Sequence, residues 1–172
     1  MQEMRTNTRL KIVILILVSV VGVALDRITK ILTVNNLDEG KGISVISGIL
    51  NFTYIKNQGA AFGSLVNARW IFMVASTLLI VVICVYIFYK KNLGRLELAA
   101  LSMIVSGGIG NMIDRIAYGY VVDFVDVIFL PFWKWIFNIA DMLVCVGAAL
   151  FIISFVIGEI KNKKGKESNV SI

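Results

Sequence analysis

The sequence contains no histidine, and that absence removes several familiar kinds of active site. Hydrolases that activate a serine or a cysteine through a histidine are excluded, as are zinc sites of the HExxH type. Proline occurs once and cysteine twice in 172 residues. Cys84 and Cys145 both lie well inside apolar segments, so a disulfide framework is not expected. A metal would have to bind carboxylates and carbonyls alone, and no EF-hand spacing is present.

Charged residues are also scarce, at 16% of the chain, whereas hydrophobic residues make up 58%. The mean hydropathy of +0.85 is too high for a soluble domain of this size. Four apolar runs approach the roughly 20 residues that a helix needs to cross a bilayer. Because these runs are continuous and do not alternate with period two, we expect helices and not barrel strands. The chain is predicted to be one all-α membrane domain over residues 1–172, with spans at about 10–28, 70–88, 96–114 and 138–158.

Lysines and arginines are distributed unevenly around these spans. Ten of the 17 lie in the two tails and in the short loop between the second and third spans, and seven lie in the two longer loops. The positive-inside rule therefore places both termini in the cytoplasm, including the tail 159–172, and the first and third loops outside. Nucleic-acid binding would need basic residues gathered on one soluble face, and none is expected.

The first apolar run could also be a cleavable signal peptide, because basic residues precede it and small residues follow at 22–24. We favour a retained span, since three more spans follow. Asp26 and Lys30 also stand four residues apart with the acid first, which is the favourable order for an ion pair on one helical face.

The first outer loop is predicted to form a small extracytoplasmic β-sheet between spans 1 and 2, within about residues 40–66. Leu50, Phe52 and Tyr54 alternate there with more polar residues, as expected of a short strand. The string NQGAAFG follows from Asn57 to Gly63, and its small residues would allow a close approach of backbone to a partner. Taken alone, that string is no more than a turn.

The second outer loop is crowded with aromatic residues around its single proline. This pattern is typical of a segment that lies in the lipid headgroup layer, so it predicts a membrane anchor. Asp123 precedes the anchor and Asp141 follows it, so the fold could bring the two carboxylates together.

Helical spacing gathers the remaining polar groups. Asn111, Asp114 and Arg115 share a face at the end of span three, and Asn138 and Asp141 share a face where span four begins. Ionisable groups at membrane depth mark functional sites by default. The predicted topology brings four carboxylates to the same outer level: Asp26, Asp114, Asp123 and Asp141.

Without histidine, the available acid–base machinery is a pair of carboxyl groups. Crowding forces one member to keep its proton while the other ionises. The ionised member can take a proton from water, and the neutral member can protonate a leaving amine. This is the chemistry of an aspartic peptidase, with Asn111, Asn138 and Arg115 orienting the pair. The alternative for these polar residues is that they only hold the helices together.

Five strings in order resemble those of the lipoprotein signal peptidases, also called signal peptidase II: DRITK, NQGAAFG, GNMIDR, VVDF and FNIAD. The resemblance covers nearly the whole chain and implies that Asp123 and Asp141 are the catalytic pair, with Asp126 a nearby decoy. It also implies a binding site or supporting polar network of eight further residues: Asp26, Lys30, Asn57, Gly59, Asn111, Asp114, Arg115 and Asn138.

The resemblance implies an intramembrane aspartic endopeptidase of the bacterial cell membrane. Its substrate would be a prolipoprotein whose cysteine carries a diacylglyceryl group, cut on the amino side of that cysteine by carboxylate-activated water. The implied partners are lipid-modified signal peptides and membrane lipids, and no metal or organic cofactor is required. We expect a monomer with its active site near the outer interface.

Two rival functions stay open on the residues alone. A small transporter would also place acids in a helix bundle, but it would need polar residues along its whole path. A serine–lysine peptidase could use Lys30 as its base, yet Ser44, Ser47 and Ser64 lie in no distinctive nucleophile motif.

Overall fold

A computed structural model describes residues 7–59, 69–91, 93–129 and 135–170, with side chains described as far as residue 160. The described part contains four helices and four strands in a mixed order. The elements are α1 (Thr8–Asn36), β1 (Gly42–Ile46), β2 (Leu50–Asn57), α2 (Arg69–Tyr89), α3 (Arg95–Ala117), β3 (Val121–Val127), β4 (Ile136–Phe137) and α4 (Ile139–Val170).

All four helices are long and apolar enough to cross a membrane, as the hydropathy predicts. Large apolar side chains such as Leu17, Leu78 and Ile152 are at least 60% exposed, as expected of surfaces that face lipid. Helix α1 continues to Asn36, eight residues past the predicted span, because residues 29–36 contain neither glycine nor proline. Helix α4 runs on to Val170, so most of the predicted tail is helical.

Helix α3 lies at the centre of the bundle and packs against the other three helices. Its most apolar window is 61% buried, whereas the corresponding windows of the other helices are at most 11% buried. The apolar core surrounds the first half of α3 and the end of α2, including Ile87, Leu98 and Leu101. The second half of α3 is richer in glycine, serine and ionisable residues, and this half contacts the sheet.

The strands form one antiparallel sheet in the order β1-β2-β3-β4. The sheet predicted between the first two spans is confirmed, but β3 and β4 come from the loop between α3 and α4, where the sequence predicts only an aromatic anchor. Strand β3 lies between β2 and β4, with Ile55 opposite Asp123 and Phe137 opposite Val125. We call the end of the bundle where α1 and α3 finish and α2 and α4 begin the sheet end.

Close packing of α3 on α4 requires a glycine at position 107. A Cβ atom there would collide with the carbonyl oxygen of Ala140 and lie 2.7 Å from a Val144 methyl group. We therefore expect Gly107→Ala to lower the free energy of unfolding by about 1–3 kcal/mol, because the first turn of α4 must shift. Thermal unfolding in detergent micelles measures this loss.

Gly158→Ala is the matched control, because it lies in the same pair of helices and a Cβ there would meet nothing within 4 Å. This variant should unfold at or slightly above the temperature of the unmodified protein. Equal unfolding temperatures for the two variants would contradict the packing argument.

Candidate active site

The residues predicted to form the site meet at the sheet end in two adjoining groups. The first contains Asp123 and Asp141, which we call the carboxyl pair, and the three amide side chains that contact them. The second, which we call the ion cluster, lies directly behind the pair between α1 and α3. Its members are Asp26, Arg27, Lys30 and Asp114.

Asp123 is carried by the buried strand β3 and is only 2% exposed. Each of its carboxyl oxygens accepts a hydrogen bond from a side-chain amide. Asn57 Nδ2 donates to Oδ2 at 2.8 Å, and Asn138 Nδ2 donates to Oδ1 at 2.6 Å. Burial, followed by the charge of Asp141, raises the pKa of Asp123 to about 7, so the group can hold or release a proton near neutral pH.

Asp141 lies in the first turn of α4 and forms a reciprocal cap with Asn138. Asn138 Oδ1 accepts from the backbone N–H of Asp141 at 2.9 Å, and Asp141 Oδ2 accepts from the backbone N–H of Asn138 at 3.2 Å. This is the geometry of a capping box, which starts the helix and fixes both side chains. Asn111 Nδ2 donates to the other oxygen of Asp141 at 2.7 Å.

Asn138 joins the two halves of the carboxyl pair. Its side chain is fully buried, and the same Nδ2 that donates to Asp123 also donates to Asn111 Oδ1 at 3.1 Å. Asn138 therefore contacts Asp123 directly and Asp141 through the cap. The fold thus brings together two aspartates that are far apart along the chain and hydrogen-bonds both to one residue.

Asn57 is itself held in place by Gly59. The Gly59 N–H donates to Asn57 Oδ1 at 2.8 Å, which leaves the Asn57 amide nitrogen directed at Asp123. Gly59 has a φ of 101°, a conformation that glycine adopts without strain. Residues 60–66 of the predicted loop lie outside the described residues.

A cavity of about 860 Å³ opens beside the carboxyl pair, between α2, α3, α4 and the sheet. Its polar lining includes Asp123, Asp141, Asn57, Asn111 and Arg115, and Lys56, Gln58 and Ser76 line it as well. The rest of its wall extends along the helices toward the middle of the bundle and is mainly apolar, with Leu79, Ile80, Ile104, Val144 and Cys145. The cavity therefore offers an apolar groove that leads to a pair of carboxyl groups.

Arg115 contributes a positive charge to the same cavity. Its guanidinium lies 5.4 Å from the centre of the Phe72 ring, and its NH1 donates to the Asn111 carbonyl at a long 3.4 Å. No carboxylate among the described residues lies within ion-pair distance of it. The guanidinium is thus positioned to meet negative charge inside the cavity.

The ion cluster is centred on Lys30, which is 2% exposed. Its ammonium group contacts Asp26 at 3.0 Å, Asp114 at 2.8 Å and the Asn111 amide oxygen at 3.0 Å. The predicted ion pair of Asp26 with Lys30 is therefore present. Arg27 is not predicted as a site residue from the sequence, although it is part of the DRITK string, because helical spacing pairs Asp26 with Lys30 and not with its immediate neighbour.

Other candidates from the sequence lie elsewhere or are already engaged. Asp126 accepts a hydrogen bond from Thr53 Oγ1 at 3.0 Å, away from the cavity wall. Ser44 and Ser47 lie on the exposed β1 hairpin, and Ser64 lies outside the described residues. Within the described part of the chain, no group of three or more cysteine or acidic side chains is gathered to hold a metal ion.

Comparison with known proteins places the chain among membrane enzymes. A family model described as Signal peptidase (SPase) II matches residues 18–157. The chain is 38% identical over 150 residues to a lipoprotein signal peptidase of Clostridioides difficile strain 630, covering 86% of this chain and 98% of the relative. It is 40% identical over 146 residues to the corresponding protein of Clostridium tetani, covering 84% and 92%.

Two solved structures share the fold. Both are described as bacterial membrane enzymes, determined at 2.3 Å and 1.9 Å resolution, and each superposes with a TM-score of 0.78. The first is 31% identical and covers 87% of this chain and 90% of its own, and the second is 28% identical and covers 90% and 97%. The four-helix membrane fold with a small sheet is therefore shared with known enzymes.

Proposed function

This chain belongs to the signal peptidase II family and is a multi-pass membrane peptidase of lipoprotein precursors, and from that premise we propose that Asp123 and Asp141 are its catalytic pair. One observation carries the proposal. Two carboxyl groups are hydrogen-bonded to the same residue, Asn138, and line one cavity.

The proposed reaction is direct attack of water on the peptide carbonyl. We assign the proton of the resting pair to Asp123, whose pKa is raised to about 7 by burial and by the neighbouring charge of Asp141. Asp141 takes a proton from the water, whose oxygen bonds to the carbonyl carbon. When the C–N bond breaks, Asp123 gives its proton to the departing amine of the modified cysteine. The amides of Asn57, Asn111 and Asn138 keep the two carboxyl groups in place during this transfer.

Arg115 has a supporting electrostatic role in this proposal. Negative charge develops on the carbonyl oxygen as water attacks, and a guanidinium that lines the cavity without a carboxylate partner can stabilise it. Its cation–π contact with Phe72 holds the side chain against the cavity wall.

The apolar part of the cavity suits the precursor. We propose that the signal peptide lies along Leu79, Ile80 and Ile104, between α2 and α3, with the peptide bond at the polar end. A diacylglyceryl group on the cysteine would hold that bond at the membrane surface, which reduces the search for the site. We propose that the sheet end faces the outside and both termini face the cytoplasm, because the positive-inside rule favours this orientation. We also propose that the enzyme acts as a monomer.

The transporter hypothesis fits this arrangement less well. Between the carboxyl pair and the opposite end of the bundle, the described core is mainly apolar, with Leu98, Leu101 and Val105. The fully buried Ser102 and Ser106 also lie there, but their hydroxyls donate to the backbone carbonyls of Leu98 and Ser19. A proton or cation path would need a continuous chain of polar groups in this region.

Cleavage in ¹⁸O-labelled water tests the proposed chemistry. The released signal peptide should carry one ¹⁸O atom in its new carboxylate, and the other product should begin at the lipid-modified cysteine. Hydroxylamine added during turnover should yield no hydroxamate, because no acyl-enzyme forms when water attacks directly. Mass spectrometry of both products makes these measurements.

The same precursor without its diacylglyceryl group is the matched substrate control and should be cut much more slowly. Hydroxamate at the cleavage point would reveal a covalent intermediate, and it would favour the serine–lysine alternative over the carboxyl pair.

A further inference from the structure

Arg27 occupies the only part of the ion cluster that is not fully enclosed. Its guanidinium bridges two carboxylates, with NH1 at 2.6 Å from Asp114 Oδ1 and NH2 at 2.9 Å from Asp26 Oδ2. Both carboxylates are completely buried, whereas the arginine side chain is 21% exposed. A third hydrogen bond joins NH2 to the Gly110 carbonyl at 3.2 Å. Arg27 thus links α1 to α3 at the sheet end.

The two carboxylates that Arg27 bridges each hold a backbone segment that carries a member of the carboxyl pair. Asp26 Oδ1 accepts from the Ala140 N–H at 3.0 Å, one residue before Asp141. Asp114 Oδ2 accepts from the Val122 N–H at 3.2 Å, one residue before Asp123. A displacement of either carboxylate therefore moves one member of the pair relative to the other.

Charge balance gives Arg27 a second effect. The ion cluster holds two negative charges, on Asp26 and Asp114, and two positive charges, on Arg27 and Lys30. Lys30 also donates to Asn111, which in turn donates to Asp141. Loss of Arg27 would leave a net negative charge directly behind the carboxyl pair.

We propose that Arg27 is a positioning residue for the catalytic pair: it holds Asp26 and Asp114 at the spacing that aligns the segments of α4 and β3, and it keeps the ion cluster neutral. This inference rests on the proposed function. Arg27 does not line the cavity, so it acts on the pair through Asp26 and Asp114 and not on the substrate.

Several other charged side chains surround the carboxyl pair, and they must remain unsubstituted when Arg27 is changed. Helix α1 contributes Asp26 and Lys30, and α3 contributes Asp114 and Arg115. Strand β2 contributes Lys56, β3 carries Asp123 and α4 carries Asp141. Removing one positive charge from this set disfavours ionised carboxyl groups. Both limbs of the pH–rate profile should therefore move to higher pH.

The test is steady-state cleavage of a lipid-modified peptide by purified protein in detergent micelles between pH 5 and 9. Arg27→Gln should lower kcat by about 10- to 100-fold, because small displacements of the reacting groups reduce the rate of the chemical step strongly. KM should change by no more than about twofold, because the cavity wall is intact. Arg27→Lys keeps the charge and should keep the pH profile, with an intermediate kcat.

A double variant separates charge from folding. In Arg27→Gln/Asp114→Asn the glutamine carbonyl can accept from the new amide, while the amide oxygen still accepts from Lys30 and Val122. The cluster is neutral again, so the pH profile should return to that of the unmodified enzyme even where kcat stays low. Lys41→Gln removes an exposed charge on the first outer loop, and it should change neither kcat nor the pH profile.

Unchanged kcat and an unchanged pH profile in Arg27→Gln would overturn the inference, and so would a profile that the double variant fails to restore. Asp123→Asn in the same assay keeps the two proposals distinguishable. If Asp123→Asn is inactive and Arg27→Gln behaves as the unmodified enzyme, only the role of Arg27 is wrong. If Asp123→Asn cleaves normally, the catalytic pair itself is wrong.

Discussion

Asp123→Asn protein is expected to cleave the lipid-modified precursor at least about 10³-fold more slowly than the unmodified enzyme, because an amide can neither hold nor transfer the required proton. Asp141→Asn should cause a loss of the same order. The double variant should be little worse than either single variant, since groups that act as a unit are not additive. Single-turnover cleavage of purified precursor, followed by gel shift, measures all three.

Asp126→Asn is the matched control, because Asp126 lies three residues further along the same strand. Its carboxylate accepts from Thr53 and does not line the cavity. Cleavage by this variant should stay within about twofold of normal, as for a group outside the reaction. Full activity in Asp123→Asn, or a large loss in Asp126→Asn, would show that the pair is wrongly assigned.

The pH dependence of stability shows whether inactive Asp123→Asn protein has folded correctly. In the native protein the Asp123 pKa is about 7, above the ordinary value of 3.8. Between these values the folded state keeps a proton that the unfolded state has lost, so stability falls as pH rises from about 4 to about 7 and then levels off. Folded Asp123→Asn protein should lack this part of the fall, which unfolding in micelles at several pH values will measure.

The four spans could be predicted because each membrane helix corresponds to one long apolar run, which is a local feature of the sequence. Asp123 and Asp141 could be named because their motifs resemble a family pattern. The sheet was only half predicted, since β3 is buried along Val121–Val125 and shows no alternation of polar and apolar residues. Its partner strand β2 is more than 60 residues away, and such pairing leaves no local signal.

Arg27 illustrates a different limit of sequence reasoning. Its spacing from Asp26 places the two on different helical faces, and its main partner Asp114 is 87 residues distant. The bridge exists because a long guanidinium side chain can reach around α1 toward α3. Only the packed structure shows that reach, or that Asp26 accepts a hydrogen bond from the first turn of α4.

Lys30→Met is expected to lower the free energy of unfolding by about 3–5 kcal/mol, the usual effect of removing one partner from a buried ion pair. Methionine matches the volume of the lysine stem but leaves Asp26 and Asp114 fully buried, with only the partly exposed Arg27 as a counter-charge. Thermal and chemical unfolding in micelles should show the loss, and the amount of protein recovered from membranes should fall with it.

Lys41→Met provides the matched control, since Lys41 pairs with Asp38 at 2.9 Å but both side chains are about three-quarters exposed. Its effect should stay within about 0.5 kcal/mol. Lys30→Met/Asp114→Asn should be less destabilised than Lys30→Met alone, because the second substitution removes one of the two buried carboxylates that have lost Lys30 as their partner. A Lys30→Met protein that is fully stable but inactive would contradict the structural role of Lys30. That result would instead favour the serine–lysine peptidase, in which this lysine serves as the base and its loss affects only the chemistry.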